Sequence, residues 1–167
     1  ERMEFTDLVA VQAYHGRAQH LRSGSERAAA IAHAAACVRE AQASIAAAGL
    51  PCPLVSGGGT GSFVNEAASG LWGELQAGSY VFMDRDYADN APAEGAPRFE
   101  HALFVKAQVM SLGARHAVVD AGHKSHAVDS GLPRVHDPSG RCRLAFENGG
   151  DEHGILRILD FGLARPV

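Results

Sequence analysis

Three short apolar runs in the first part of the chain, residues 8–14 (LVAVQAY), 53–55 (PLV) and 74–83 (ELQAGSYVFM), are separated by segments with helical patterning. Strand, loop and helix repeated in this order predict parallel β/α units, because parallel neighbours need a crossover long enough to hold a helix. The order by itself fits a closed barrel and an open sheet equally. The first helix carries the clearest signals. Ser23 and Glu26 stand at capping-box spacing, so each can satisfy an amide at the helix start. Ile31, Val38 and Ile45 repeat along one face with Ala28 and Ala35 beside them. Gly49 suits a left-handed cap and Pro51 ends the helix. A second helix is expected to begin at residues 65–68. The run 74–83 reads as a strand kinked at Gly78.

A composition shift follows. Residues 86–97 (DYADNAPAEGAP) form a polar, proline-rich connector. Beyond it, residues 102–112 and 116–121 read as strands, and glycine-rich turns continue to Gly154. This places a boundary near Pro97, with a β/α part at 1–97 and an all-β part at 98–167. Apolar residues make up 46% of the chain, and none of its uninterrupted apolar runs nears the roughly 20 residues of a membrane span. The opening ERMEFTDLVAV lacks the basic-then-apolar pattern of a leader and does not start on Met, so an earlier start is expected. A net charge of −4 with scattered basic residues argues against nucleic acid as a partner. Cys37, Cys52 and Cys142 are odd in number and widely spaced, which points to a reducing cytoplasm rather than a disulfide framework.

Four clusters are candidates for chemistry. Gly57, Gly58, Gly59, Thr60, Gly61 and Ser62 follow an apolar run and precede a helix. Consecutive glycines let backbone N–H groups approach a ligand closely, which suits a phosphate, and equally make an ordinary flexible turn. GGGTGS matches neither the P-loop pattern nor a GxGxxG dinucleotide fingerprint. Tyr14 and His15 end the first run, where β/α folds place working residues. Gln76, Ser79 and Tyr80 stand similarly on the later run, although alternation sends neighbouring strand residues to opposite faces. In residues 120–133 (DAGHKSHAVDSGLP), His123 and His126 could pair on a metal only if helical. A loop is expected there, and no metal ligands are assigned. Residues 151–154 (DEHG) put His153 beside two carboxylates, as an oriented imidazole or as a polar hairpin turn.

Taken in order, YHG at 14–16, VSGGGTGSF at 55–63, ELQAGSYVFMD at 74–84, DAGHKS at 120–125, DSGLP at 129–133 and DEHG at 151–154 resemble one family. The chain is similar to the metal-activated D-threonine aldolases and the related eukaryotic-type D-serine dehydratases, which are alanine-racemase-like, fold-type III pyridoxal-phosphate enzymes. The resemblance covers about residues 8–156. It implies the C-terminal part of a β/α (TIM-type) barrel followed by a partial all-β domain. It also implies that Gly57, Gly58, Gly59, Thr60, Gly61 and Ser62 cradle the phosphate of pyridoxal 5'-phosphate. Tyr14 and His15 would lie by the ring, and Gln76, Ser79 and Tyr80 near the phosphate. The loop with His123, Lys124 and Asp129 would face an active site, that of the partner subunit in a homodimer, and His153 would join the catalytic group.

Two features depart from the family. Its chemistry needs a lysine bonded to the cofactor, early in the barrel, whereas the two lysines here are Lys106 and Lys124. Family members also continue past DEHG to a His-Cys-Asp-type motif that binds a divalent metal (Mn, Mg or Zn). The chain is therefore expected to be the middle and late part of such an enzyme and to be inactive alone. For the complete enzyme the implied reaction is retro-aldol cleavage of a D-3-hydroxy amino acid to glycine and an aldehyde. D-serine or 3-hydroxyaspartate dehydration by the same family is the alternative. A truncated phosphate binder and an unrelated β/α barrel enzyme remain as further readings.

Overall fold

A computed structural model describes residues 7–93 and 95–161. The chain divides into two compact units, Glu1–Ala102 and Leu103–Val167, a division that falls shortly past Pro97. The outer ends of both expected parts, residues 1–6 and 162–167, lie outside the described residues.

The first unit is built on a three-stranded parallel sheet, β1 (Ala10–Gln12), β2 (Leu54–Gly57) and β3 (Glu74–Leu75), in the order β1-β2-β3. Between β1 and β2 runs α1 (Gly24–Ala47), and between β2 and β3 runs α2 (Phe63–Ser69). The Ser23 hydroxyl accepts from the Glu26 amide at 3.4 Å, as the capping-box spacing predicts. At the other end Gly49 has φ +73°. Its amide reaches Ala46 O at 2.9 Å while the Leu50 amide reaches Ile45 O at 3.2 Å, the paired bonds of a Schellman motif. Ile31, Ala35 and Val38 are buried against Val55 of β2, Trp72 and Ala18. Ile45 is only half-buried and Ala28 is exposed, so the apolar stripe of α1 is narrower than its periodicity suggests. Ser23→Ala is expected to cost about 0.5–1 kcal/mol, seen as a lower urea midpoint at unchanged slope. An unmoved midpoint would show that the long 3.4 Å cap bond contributes nothing.

Residues 74–83 are not one strand. β3 stops at Leu75, and Ser79–Val81 form a 3-10 turn. The cause lies in the neighbour. β2 ends at Gly57, and Gly58 turns away with φ +80°. The Gln76 amide then divides its bond between Gly57 O (3.1 Å) and Gly58 O (2.9 Å), and no ladder remains to extend.

The second unit is an antiparallel sheet of β4 (Val109–Leu112), β5 (His116–Val119), β6 (Cys142–Asn148) and β7 (Gly154–Phe161), in the order β4-β5-β7-β6. Only the last part of 102–112 is strand. Leu103, Phe104 and Val105 are exposed and outside any ladder. Two bonds to Asp120 fix Gln108 instead, its amide donating to Asp120 Oδ1 at 2.6 Å and its carbonyl accepting from the Asp120 amide at 3.1 Å. No helix among the described residues is long and apolar enough to cross a membrane.

Candidate functional site

The three parallel strands of the first unit send their C-terminal ends to one edge, and the segments that leave them meet there. The Ala13 amide donates to Ser56 O at 2.8 Å, and the Tyr80 amide donates to the Thr60 hydroxyl at 3.1 Å. Thus the chain leaving β1 is tied to β2 at Ser56, and the chain leaving β3 is tied to the glycine loop at the Thr60 side chain.

The glycine loop has two halves with different roles. In its second half every amide is engaged. The Gly61 amide donates to Gln19 Oε1 at 2.9 Å, and those of Ser62 and Phe63 donate to Gly59 O at 3.0 and 2.9 Å. In its first half, no acceptor among the described residues meets the amides of Gly58, Gly59 or Thr60. Three successive open N–H groups form a concavity for an anion. The tightness of the loop requires glycine. A Cβ on Gly59 would fall on the Gln19 side-chain amide and the Tyr14 hydroxyl. Seven-residue α2 adds little dipole, so the loop amides themselves carry the attraction. Beside the loop opens a cavity of about 320 Å³, with Thr60, Gly61, Asn65, Tyr87 and Arg98 on its wall. The cavity meets the loop at Thr60 and Gly61, and the chemistry of the open amides fits a phosphate monoester.

Tyr14, 41% exposed, stands over the loop. It shares a hydrogen bond with Tyr87, which also bonds Ser79. Burial pushes the Tyr87 phenol above its ordinary range, and the neighbouring Tyr14 adds to this. Tyr87 belongs to α3 (Arg85–Ala88), inside the segment that reads as a polar connector, and sequence reasoning passed it over. Its only signal is an aromatic residue amid small and acidic ones. His15 turns back on its own chain, where Nδ1 accepts from the Ala18 amide at 3.3 Å and caps the 3-10 turn Gly16–His20. The Tyr80 ring lies 5.2 Å from the Phe99 ring.

The sheet has two unlike faces. Val55 points into the apolar core under α1. The opposite face carries a polar network. Gln12 and Gln76 exchange two amide bonds of 2.9 Å, Gln76 Nε2 also donates to Ser56 Oγ at 2.8 Å, and the Ser56 hydroxyl donates to Glu74. Gln76 is therefore committed to the sheet face, and Ser62 is buried within the loop's support. Gln12 joins the site's surroundings without any motif to announce it, and Ser56 and Glu74, though inside the stretches 55–63 and 74–84, carry no sequence sign of this network.

In the second unit the segment 120–126 docks on the β6–β7 hairpin. The amides of His123 and Lys124 donate to Gly150 O and Asp151 O at 3.0 Å each, and Lys124 Nζ reaches Glu152 Oε1 at 2.6 Å. This brings His123 and the turn of His153 onto adjoining backbone, while Asp129 stands exposed farther along the loop. His123–Ser125 form a 3-10 turn, and His126 leaves it to meet the Phe146 ring edge-on at 5.2 Å. Among the described residues no three His, Cys, Asp or Glu side chains gather in one place.

Comparison with known proteins sets this geometry in context. Residues 102–164 match the family described as "Putative serine dehydratase domain". The chain is 46% identical over 155 residues to 3-hydroxy-D-aspartate aldolase of Paracoccus denitrificans (strain Pd 1222), covering 90% of this chain and 39% of that protein. It is 38% identical over 141 residues to D-threo-3-hydroxyaspartate dehydratase of Delftia sp. (strain HT23), covering 75% and 36%. The crystal structure of D-threonine aldolase from Filomicrobium marinum superposes with a TM-score of 0.82 at 45% identity, covering 92% of this chain and 40% of that one. The chain thus spans about two fifths of the length of these relatives.

Proposed function

The chain belongs to the family of D-threonine aldolase, 3-hydroxy-D-aspartate aldolase and D-threo-3-hydroxyaspartate dehydratase, and from that premise we propose that its first unit is the phosphate cup of a pyridoxal-phosphate-dependent lyase acting on D-3-hydroxy amino acids. The observation that carries the reading is the run of open amides at Gly58, Gly59 and Thr60, in a loop where a Cβ on Gly59 would displace the Gln19 amide and the Tyr14 hydroxyl. When bound, pyridoxal phosphate supplies the electron sink for bond cleavage at the amino acid Cα. The residues of this chain do the rest by position. The open amides take the phosphate oxygens, and Tyr14, held by Tyr87, which Ser79 holds in turn, walls the ring side. The face of Gln12, Ser56, Glu74 and Gln76 forms a polar floor whose bonds hold its side chains in place.

Within the family we favour aldol cleavage, because identity to the two aldolases (46% and 45%) exceeds that to the dehydratase (38%). In the working enzyme the first unit belongs to a β/α barrel, and His123, Asp129 and His153 of the second unit face the active site of a homodimer. Both lysines lie in the second unit. Lys124 is paired with Glu152 and Asp151, and Lys106 belongs to the exposed run before β4. This chain therefore binds the cofactor without a covalent anchor and does not turn over D-threonine. Calorimetry is expected to show saturable uptake of pyridoxal phosphate with no borohydride-fixed adduct in the first unit. Equal affinity for pyridoxal and its phosphate would remove the reading, and turnover by the chain alone would remove the claim of inactivity.

A further inference from the structure

Glu66 on α2 is fully buried, and neither the sequence motifs nor the phosphate cup accounts for it. Its surroundings form a hydrogen-bond chain with a fixed direction. The Gly61 amide can only donate, so Gln19 must present Oε1 to it, at 2.9 Å. That leaves Gln19 Nε2 to donate to the Ser62 hydroxyl at 2.6 Å. The hydroxyl's single proton then has one destination, Glu66 Oε1, at 2.8 Å. Each link dictates the next, and the chain ends on the carboxyl.

The same chain braces the loop from outside. Gln19 Nε2 also reaches His15 O at 3.3 Å, and Gln19 O accepts from Asn90 Nδ2 at 2.8 Å. The carboxyl lies directly under the open half of the loop, since a Cβ on Gly58 would stand 3.3 Å from Glu66 Cδ. Glu66 Oε2 is buried without a partner, and no cationic side chain among the described residues pairs with the group. Burial drives the carboxyl above the ordinary range, against the pull of the Ser62 bond and of His15.

We propose that Glu66 is a positioning residue for the phosphate: its carboxyl terminates the chain Gly61–Gln19–Ser62–Glu66, fixing the second half of the loop so that the amides of Gly58, Gly59 and Thr60 stay open. This rests on the phosphate reading above. The carboxyl touches no ligand. It acts only through Ser62 and Gln19.

The test compares affinities for pyridoxamine 5'-phosphate and pyridoxamine, which cannot form imines with the lysines, by calorimetry on the chain. The ratio of the two isolates phosphate recognition, whereas general destabilisation lowers both together. Wild type is expected to prefer the phosphate. Glu66→Gln, neutral and still an acceptor for Ser62, keeps the ratio within about threefold. Glu66→Leu strands the Ser62 proton and lowers the ratio roughly tenfold, about 1.4 kcal/mol, with pyridoxamine affinity unchanged. Should Glu66→Leu not fold, Ser62→Ala cuts the same chain and is expected to give the same loss. A wild-type ratio in Glu66→Leu or Ser62→Ala overturns the inference and leaves the cup intact. A loss in Glu66→Gln as large as in Glu66→Leu also overturns it, since charge and not positioning would then matter. No phosphate preference in wild type fells the cup itself, and this inference with it.

Discussion

Gly61→Ala is expected to destabilise the first unit by about 3 kcal/mol, which for a unit of this size lowers the melting temperature by roughly 15 °C. A methyl group at this position would collide with the backbone of Gln19, its carbonyl oxygen, carbonyl carbon and Cα all within 2.9 Å. Backbone held inside a 3-10 turn cannot swing aside as a side-chain tip can. Gln19 is also 1% exposed and carries bonds to Gly61, Ser62, His15 and Asn90, so any shift spreads to each of them. Gly16→Ala is the control. No atom lies within 4 Å of its Cβ position, and its melting temperature is expected to stay within about 3 °C of wild type. Circular-dichroism melts of the two variants settle the matter. Similar curves would mean that the close approach of Gly61 to Gln19 does not hold the loop.

Arg27→Ala is expected to cost about 4 kcal/mol, the larger of the two effects. Arg27 is 3% exposed on α1. Its Nη1 donates to Leu21 O and Arg22 O, and its Nη2 donates to Ala91 O. One guanidinium thus satisfies three carbonyls and joins the segment before α1 to the segment after α3. Burial lowers its pKa, and the like charge of Arg22 adds to this. Truncation takes the partner from Leu21 O and Ala91 O, while Arg22 O keeps the Ala91 amide at 2.9 Å, and it empties a buried site. Arg27→Lys keeps the charge but loses the planar fork, so it is expected to recover less than half of the loss. Urea titrations give both values. If Lys restores full stability, charge alone matters and the forked geometry does not.

What was legible in the residues was mostly local. Both ends of α1 follow from residues within a few positions, the Ser23 side chain at one end and the positive φ of Gly49 at the other. The glycine loop stood out because few other backbone arrangements need so many glycines together. The failures lie where a partner decides. Residues 76–83 alternate well enough for a strand, yet a strand needs a ladder, and Gly58 takes that ladder away. Residues 103–107 are apolar enough for a buried strand but lie outside the ladders of the second unit. The site shows the same division. Tyr14 and the loop could be read from the chain order. Gln19, Glu66 and Tyr87 could not, because each gains its role from residues far away in sequence, as Gln19 does from Ser62, 43 positions on.

Trp72 has an optical consequence. It is the only tryptophan in the chain, it is 7% exposed, and its indole N–H donates to Ala13 O at 3.3 Å, beside the start of the glycine loop. Its emission therefore comes from a single place, the junction where β1 ends and the loop begins. A pyridoxal chromophore seated on that loop would lie within energy-transfer range of a single tryptophan. The chain carries its own gauge of occupancy, readable without a label or an assay of turnover.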